Sequence, residues 1–291
     1  MKSIGQYNPI VTFVYFLAVT FPAMFSMNPL MLAMALIGAL SLFFLQNGRK
    51  HLRSHLIFFG IFALITLVNP LFQHNGITVL FVLNGNPITW EAVFYGVTAG
   101  LMTISVLYWF RLLSDMMTSD KYLYIFGRLS AKLALLLSMA LRYVPLFAKR
   151  MSRIRHTQKA IGLYKDDTLF DKIRGEIRIF SIMVTWALEN GIHTADSMEA
   201  RGYGIGKRTS FAIYRFRPSD GVLLGVILTL LGITLLGLAK NIVGFEFYPA
   251  IVSYGDSGAA LIYGAYGLLA CLPAILETEE RIKWHCLQSK I

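Results

Sequence analysis

The sequence predicts an all-α membrane protein of about six transmembrane helices together with long amphipathic cytoplasmic helices. Three observations carry this expectation. Hydrophobic residues make up 56% of the chain and charged residues only 15%, against about a quarter charged in a soluble domain. With a mean hydropathy of +0.58, the surplus apolar surface needs lipid. Second, six apolar runs approach the roughly 20 residues that cross about 30 Å of hydrocarbon. Third, the basic residues are gathered: residues 114–218 hold 18 of the 27 Lys and Arg. By length alone 291 residues could make two soluble domains, but the apolar runs favour one integrated membrane protein. It divides into a membrane region at 1–113, a cytoplasmic helical region at 114–218 and a second membrane region with a short tail at 219–291.

The expected crossings are residues 10–25, 29–45, 55–68, 90–113, 221–239 and 255–276. The first three runs have only 14 to 17 residues, which implies thin, tilted or partly re-entrant helices. Residues 1–9 carry one Lys and no small-residue cleavage site, so the first run reads as a retained span rather than a removed signal peptide. Lys and Arg near a span resist translocation. Arg49, Lys50 and Arg53 place the loop between the second and third runs inside, whereas residues 69–89 and 241–254 contain no Lys or Arg and belong outside. Arg281, Lys283 and Lys290 follow the last run. Both termini are therefore expected in the cytoplasm.

Within 114–218, residues 133–147 are nearly apolar, broken by Arg142 and Pro145, and read as a helix buried under the bilayer or dipping into it. Phe147, Met151, Ile154 and Ile161 then recur at helical spacing, with Lys149, Arg150, Arg153 and Arg155 mainly elsewhere on the wheel. A second amphipathic helix carries Ile173, Ile177, Phe180, Val184 and Ala187 opposite Lys172, Arg174 and Arg178, and Gly191 is expected to stop it. Thr194 is expected to N-cap a short third helix through Arg201, with Asp196 in its first turn and Gly202 and Gly204 taking the positive φ that ends it.

Cys271 and Cys286 form no CxxC pair and read as inert, and His74 and His193 are lone histidines read as structural. The pairs Gly96/Gly100 and Gly221/Gly225 permit close helix approach, with internal packing the expected use. No metal site, cofactor site or catalytic constellation is apparent. A phosphate loop would need Gly at 201 and Ser or Thr at 208, and both positions are Arg. A self-sufficient secondary transporter or membrane enzyme would need ionisable groups at mid-bilayer depth, whereas Glu91 and Arg111 sit near the ends of the fourth run. A nucleic-acid binder is disfavoured because Asp166, Asp167, Asp171, Glu176, Glu189, Asp196 and Glu199 interrupt the basic faces.

Arg201 is the most pointed feature. An Arg at a helix end, followed by glycines, presents a planar fork of five donors beyond the helix surface, able to grip a carboxylate or a row of carbonyls. Taken alone it is better explained by the favourable placement of a cation at its own helix C-terminus, about 0.3 to 1 kcal/mol. The wider sequence adds to this. Thr185-Trp186-Ala187-Leu188-Glu189-Asn190-Gly191 followed by Ala195-Asp196-Ser197-Met198-Glu199-Ala200-Arg201-Gly202-Tyr203-Gly204 resembles the second signature of the transmembrane T component of energy-coupling-factor transporters. Leu141-Arg142-Tyr143-Val144-Pro145, Thr157-Gln158-Lys159-Ala160-Ile161-Gly162 and Asn69-Pro70-Leu71-Phe72-Gln73-His74-Asn75-Gly76 are similar to the same family, over most of residues 8–211.

The resemblance implies a non-catalytic scaffold of a vitamin or micronutrient uptake transporter in a prokaryotic cell membrane. Its partners would be two cytoplasmic ABC-type ATPase subunits, which bind the ATP and magnesium, and a small substrate-binding membrane subunit. It implies that Ala200, Arg201 and Gly202, together with Gln158, Lys159, Ala160 and Gly162 of the first short signature, couple the chain to the ATPases. That signature has an Arg where this chain has Ile161, and the resemblance does not assign its place to Lys159 or Arg155.

Overall fold

The computed structural model describes residues 4–47, 52–73, 75–83, 86–163, 168–206, 214–253 and 258–288. The helices, in chain order, are α1 Pro9–Phe25, α2 Pro29–Asn47, α3 Leu52–Phe72, α4 Trp90–Met116, α5 Ser119–Leu129, α6 Ala131–Ala160, α7 Leu169–Ala200, α8 Pro218–Ala239 and α9 Ala259–Gln288. Two antiparallel hairpins accompany them, β1 Val79–Leu83 with β2 Asn86–Thr89, and β3 Phe245–Glu246 with β4 Val252–Ser253. The chain forms two compact units, Met1–Lys121 with Tyr214–Ile291, and Tyr122–Ile213.

The first unit is held by side chains that satisfy backbone groups across helices, as a helix bundle in lipid requires. α1 starts where Asn8 Oδ1 accepts from the Ile10 N–H at 3.1 Å, with Pro9 in the first turn. Its Tyr15 hydroxyl donates to the Leu269 carbonyl (2.9 Å), and the Tyr266 hydroxyl of α9 donates back to Val19 (3.0 Å). The Trp109 indole N–H reaches the Ala35 carbonyl at 3.1 Å, while its ring meets Tyr15 and Phe16 edge-on. Tyr15, Phe16, Trp109 and Tyr266 are all buried. Lys121 donates to the carbonyls of Gly5 (2.8 Å) and Met116 (2.7 Å), tying the N-terminal turn to the end of α4.

Close approach decides the glycines here. A Cβ on Gly38 would stand 2.6 Å from the Ala270 carbonyl oxygen, and one on Gly100 would collide with Phe62 at 2.8 Å. The Gly96/Gly100 pair therefore packs internally against α3, as expected. Gly221 and Gly225 differ: the former faces only Phe216 and the latter open space.

Several boundaries depart from the sequence reading. α2 and α3 have 19 and 21 residues, and α3 continues through Pro70 to Phe72, so only α1, with 17, is short. Six described helices are long and apolar enough to cross a membrane, namely α2, α3, α4, α6, α8 and α9. α6 enters this set because residues 133–147 and the amphipathic stretch after them form one helix of 30 residues running through Pro145.

The segment read only as an outer loop contains a hairpin. Val79-Leu80-Phe81-Val82-Leu83 followed by Asn84-Gly85 carries that signal in sequence. The hairpin is closed from below: the Thr78 N–H donates to the Glu91 carboxylate at 3.3 Å, the Thr78 hydroxyl hydrogen-bonds the same carboxylate, and Thr89 caps α4 by accepting from the Ala92 N–H. Arg49, Lys50, His74, Asp166, Asp167, Lys207, Arg208 and Lys290 lie outside the described residues.

Candidate coupling site

The second unit is built on the antiparallel pair α6 and α7. Their contact is one small cluster: Ile179 and Met183 of α7 are buried among Phe147, Ile154 and Trp186. The Trp186 ring meets Phe147 edge-on at 5.6 Å and carries the Arg150 guanidinium over its face at 5.4 Å, a cation–π pair worth about 0.5 to 1 kcal/mol when exposed. Away from this centre two polar clasps fix the pair. At one end Arg155 Nη2 donates to both carboxylate oxygens of Glu176, at 2.7 and 2.9 Å. At the other, Thr194 gives its only hydroxyl proton to the Asn190 carbonyl (2.7 Å), so Tyr143 is the donor in the 2.9 Å bond between Tyr143 and Thr194.

That bond corrects the expectation of a break at Gly191. α7 is continuous through Gly191 and ends only at Ala200. Thr194 does not cap a new helix; its side chain bonds backward to the preceding turn. A helical glycine costs about 1 kcal/mol relative to Ala, and the Tyr143 clasp lies directly over that weak turn.

The contact face also differs from the expected one. Phe147 and Ile154 do pack inward, but of the expected stripe of Ile173, Ile177, Phe180, Val184 and Ala187 the first four are exposed and Ala187 is half-buried. The residues that pack are Ile179, Met183 and Trp186, on a different side of α7. Two apolar faces on one helix blur the periodicity, and the mixed spacing was the available signal.

Both helices end in the same way. In α7, Arg201 is the C-cap (φ −84°, ψ 6°) and Gly202 follows at φ +80°. The Tyr203 N–H donates to the Met198 carbonyl (3.0 Å) and the Gly202 N–H to Glu199 (2.9 Å), the paired bonds of a Schellman cap. In α6, Ile161 is the C-cap (φ −85°, ψ −5°) and Gly162 follows at φ +75°. Here Leu163 donates to Gln158 (3.0 Å) and Gly162 to Lys159 (3.0 Å). Gln158, Lys159, Ala160, Ile161 and Gly162 thus align one for one with Met198, Glu199, Ala200, Arg201 and Gly202. Gly204 also has positive φ, at +95°.

The cap exposes its central side chain: Arg201 is exposed and Ile161 is 65% exposed. Arg201 therefore projects five donors from the partially negative end of its helix. Arg155, a candidate to supply the missing cation of the first signature, is engaged by Glu176 instead.

The two caps are not brought together. Arg178 Nη1 donates to the Leu163 carbonyl at 3.2 Å, so the α6 cap lies beside the first turns of α7, whereas Arg201 closes its far end. At about 1.5 Å of rise per residue, the stretch of α7 between Arg178 and Arg201 separates them by roughly 35 Å. The pair is a bar with one cap near each end. Among the described residues no cluster of His, Cys, Asp or Glu could hold a metal ion.

Comparison with known proteins gives this arrangement its context. Residues 5–211 match the family described as cobalt transport protein, CbiQ. The chain is 32% identical over 107 residues to the energy-coupling factor transporter transmembrane protein EcfT of Lacticaseibacillus paracasei, covering 36% of this chain and 40% of that protein. It is 36% identical over 95 residues to the EcfT of Listeria innocua, covering 32% and 36%. With the EcfT of Streptococcus equi subsp. equi it shares 28% identity over 188 residues, 60% of this chain and 69% of that one. The match thus spans about two fifths of the first two relatives. With the family pattern running through most of the chain and six described helices able to cross a bilayer, this multi-pass membrane protein belongs to the EcfT/CbiQ family of transporter transmembrane components.

Proposed function

We propose that the chain is the energy-coupling scaffold of an uptake transporter for a vitamin or similar micronutrient, transmitting ATP-driven motion of partner ATPases to a substrate-binding membrane subunit. The observation that carries the reading is the pair of matching caps set roughly 35 Å apart on one braced bar. Two equivalent ATPase subunits present two equivalent grooves, and a bar with one cap near each end offers one contact to each. Arg201, with Ala200 and Gly202, makes the stronger contact through charge-assisted bonds. Ile161, flanked by Gln158, Lys159, Ala160 and Gly162, makes an apolar one.

The bar suits transmission because its arms are fastened at three levels, by the Arg155–Glu176 clasp, the Phe147–Trp186 cluster and the Tyr143–Thr194 bond. A displacement at either cap then moves both helices. The exposed stripe of Ile173, Ile177, Phe180 and Val184 suits the membrane underside or the substrate-binding subunit. Both caps and both termini face the cytoplasm in this reading, ATP and magnesium are bound by the ATPases alone, and the chain itself catalyses nothing and binds no nucleic acid. Co-purification tests it: Arg201→Glu is expected to lose ATPase subunits that the unaltered chain retains at moderate salt. Equal retention by both would contradict the assignment.

A further inference from the structure

Between the diverging arms of α6 and α7, on the side of the Tyr143–Thr194 clasp, lies a cleft of about 600 Å³. Its chemistry divides in two. Arg142 on α6 and His193 on α7 contribute cations or N–H donors, Arg201 lies about two helical turns beyond His193, and Ser138, Ser197 and Tyr203 add hydroxyls. Leu135, Met139 and Met198 form an apolar wall. One acid, Glu199, lines an adjoining lobe with Gly191 and Ala195. Arg142 is also the first charge met along the apolar half of α6, residues 133–147.

We propose that this cleft binds an anionic phospholipid, its phosphodiester held by Arg142 and His193 and its acyl chain lying along Leu135, Met139 and Met198. A phosphodiester accepts the planar fork of Arg through its two non-bridging oxygens, and the hydroxyls can donate to the same oxygens. A small free phosphate would leave the apolar wall wet; an acidic peptide would bring several carboxylates toward Glu199. The lipid alone uses both halves of the cleft. Bound there, it bridges the two helices close to the Tyr143–Thr194 clasp and adds a fourth fastening to the bar, next to the cap that carries Arg201. Arg201 and Gly202, assigned above to the ATPase contact, also line this cleft; the lipid is held by Arg142 and His193, so its test is separate from that of the ATPase reading.

The test uses the full chain in mild detergent, titrated with phosphatidylglycerol and phosphatidylcholine and read by native mass spectrometry. Preferential retention of phosphatidylglycerol is expected, reduced about fivefold in Arg142→Gln by loss of one surface cation, largely kept in Arg142→Lys, and unchanged in Lys172→Ala/Arg174→Ala, which alters cations that do not line the cleft. A photoactivatable phosphatidylglycerol added to the unaltered chain, where no variant can misfold, should label peptides covering residues 135–143 and 193–203. Labelling concentrated elsewhere, retention unaffected by Arg142→Gln, or equal retention of the two lipids would overturn the proposal. So would full displacement by millimolar glycerol phosphate, which would make the ligand a free phosphate, or by a decaglutamate peptide, which would make it an acidic protein segment.

Discussion

Ile161 and Arg201 occupy one and the same position in two matching helix caps, each preceded by Ala and followed by a glycine at positive φ. Residues 158–162, which resemble the first signature of the family, thus share the backbone of the α7 cap, with Ile161 standing where Arg201 does. At the C-cap itself the two ends differ in one side chain, apolar in α6 and cationic in α7.

An Arg at the first cap should therefore be accepted without rebuilding. Ile161 is 65% exposed and buries little, and a cation at a helix C-terminus is worth about 0.3 to 1 kcal/mol. Ile161→Arg is expected to leave thermal unfolding of the purified chain unchanged or slightly raised, and to make ATPase retention more resistant to detergent washing. A loss of folded protein would refute the equivalence of the caps.

Gly202 is required for its backbone and not for space. A Cβ there would meet only Ile205 Cδ1, at 3.5 Å. Its φ of +80° costs an L-residue about 1 to 2 kcal/mol, so Gly202→Ala should lower stability by that amount while Gly202→Asn recovers most of it. Chemical denaturation followed by circular dichroism in one detergent compares the two.

The Arg155–Glu176 clasp joins groups that are 40% and 39% exposed, so solvent screening limits it to about 0.5 to 1 kcal/mol. A double-mutant cycle with Arg155→Ala and Glu176→Ala should return a coupling of that size. Its larger effect is expected in transport, because loosening one fastening degrades transmission more than stability. A cycle with no coupling in either measurement would remove the clasp from the account.

Lys121 supplies a pH dependence. Burial holds its ammonium below the usual lysine value of 10.5. Between that lowered value and 10.5 the unfolded chain binds the proton more than the folded chain does, so stability rises with pH through this window and the burial penalty applies in full below it. Lys121→Met is expected to flatten that rise. It should also free the N-terminal turn, because the bonds to Gly5 and Met116 go with the ammonium, read as faster proteolysis near Gly5.

Much of this was legible in the sequence because it depends on local rules. Apolar runs located α1 to α4 and α8 to within a few residues, and the start of α9, which runs on past the expected end at 276 to Gln288; the glycines at 202 and 204 announced a positive φ. The Ala-x-Gly repeat at 160–162 and 200–202 contained the matching caps in plain view, though its meaning needed both backbones. What failed to show was decided by distant partners. Gly191 reads as a stop until Tyr143 is found bonded to Thr194, and Pro145 reads as a break until α6 is seen to continue past it. The stripe of Ile173, Ile177, Phe180 and Val184 misled because a second apolar face, at Ile179, Met183 and Trp186, does the packing. Periodicity reports that a face is apolar and is silent on what covers it.

The central claim is that the two caps engage two different ATPase molecules. It is tested most directly by cysteine cross-linking in a chain whose Cys271 and Cys286 are replaced, with Lys159→Cys and Tyr203→Cys placed beside the first and second cap. Each single variant is expected to trap one ATPase subunit, and the double variant to trap two in a single covalent species of correspondingly greater mass. Capture of one ATPase molecule by both positions, or of none by either, would contradict the account.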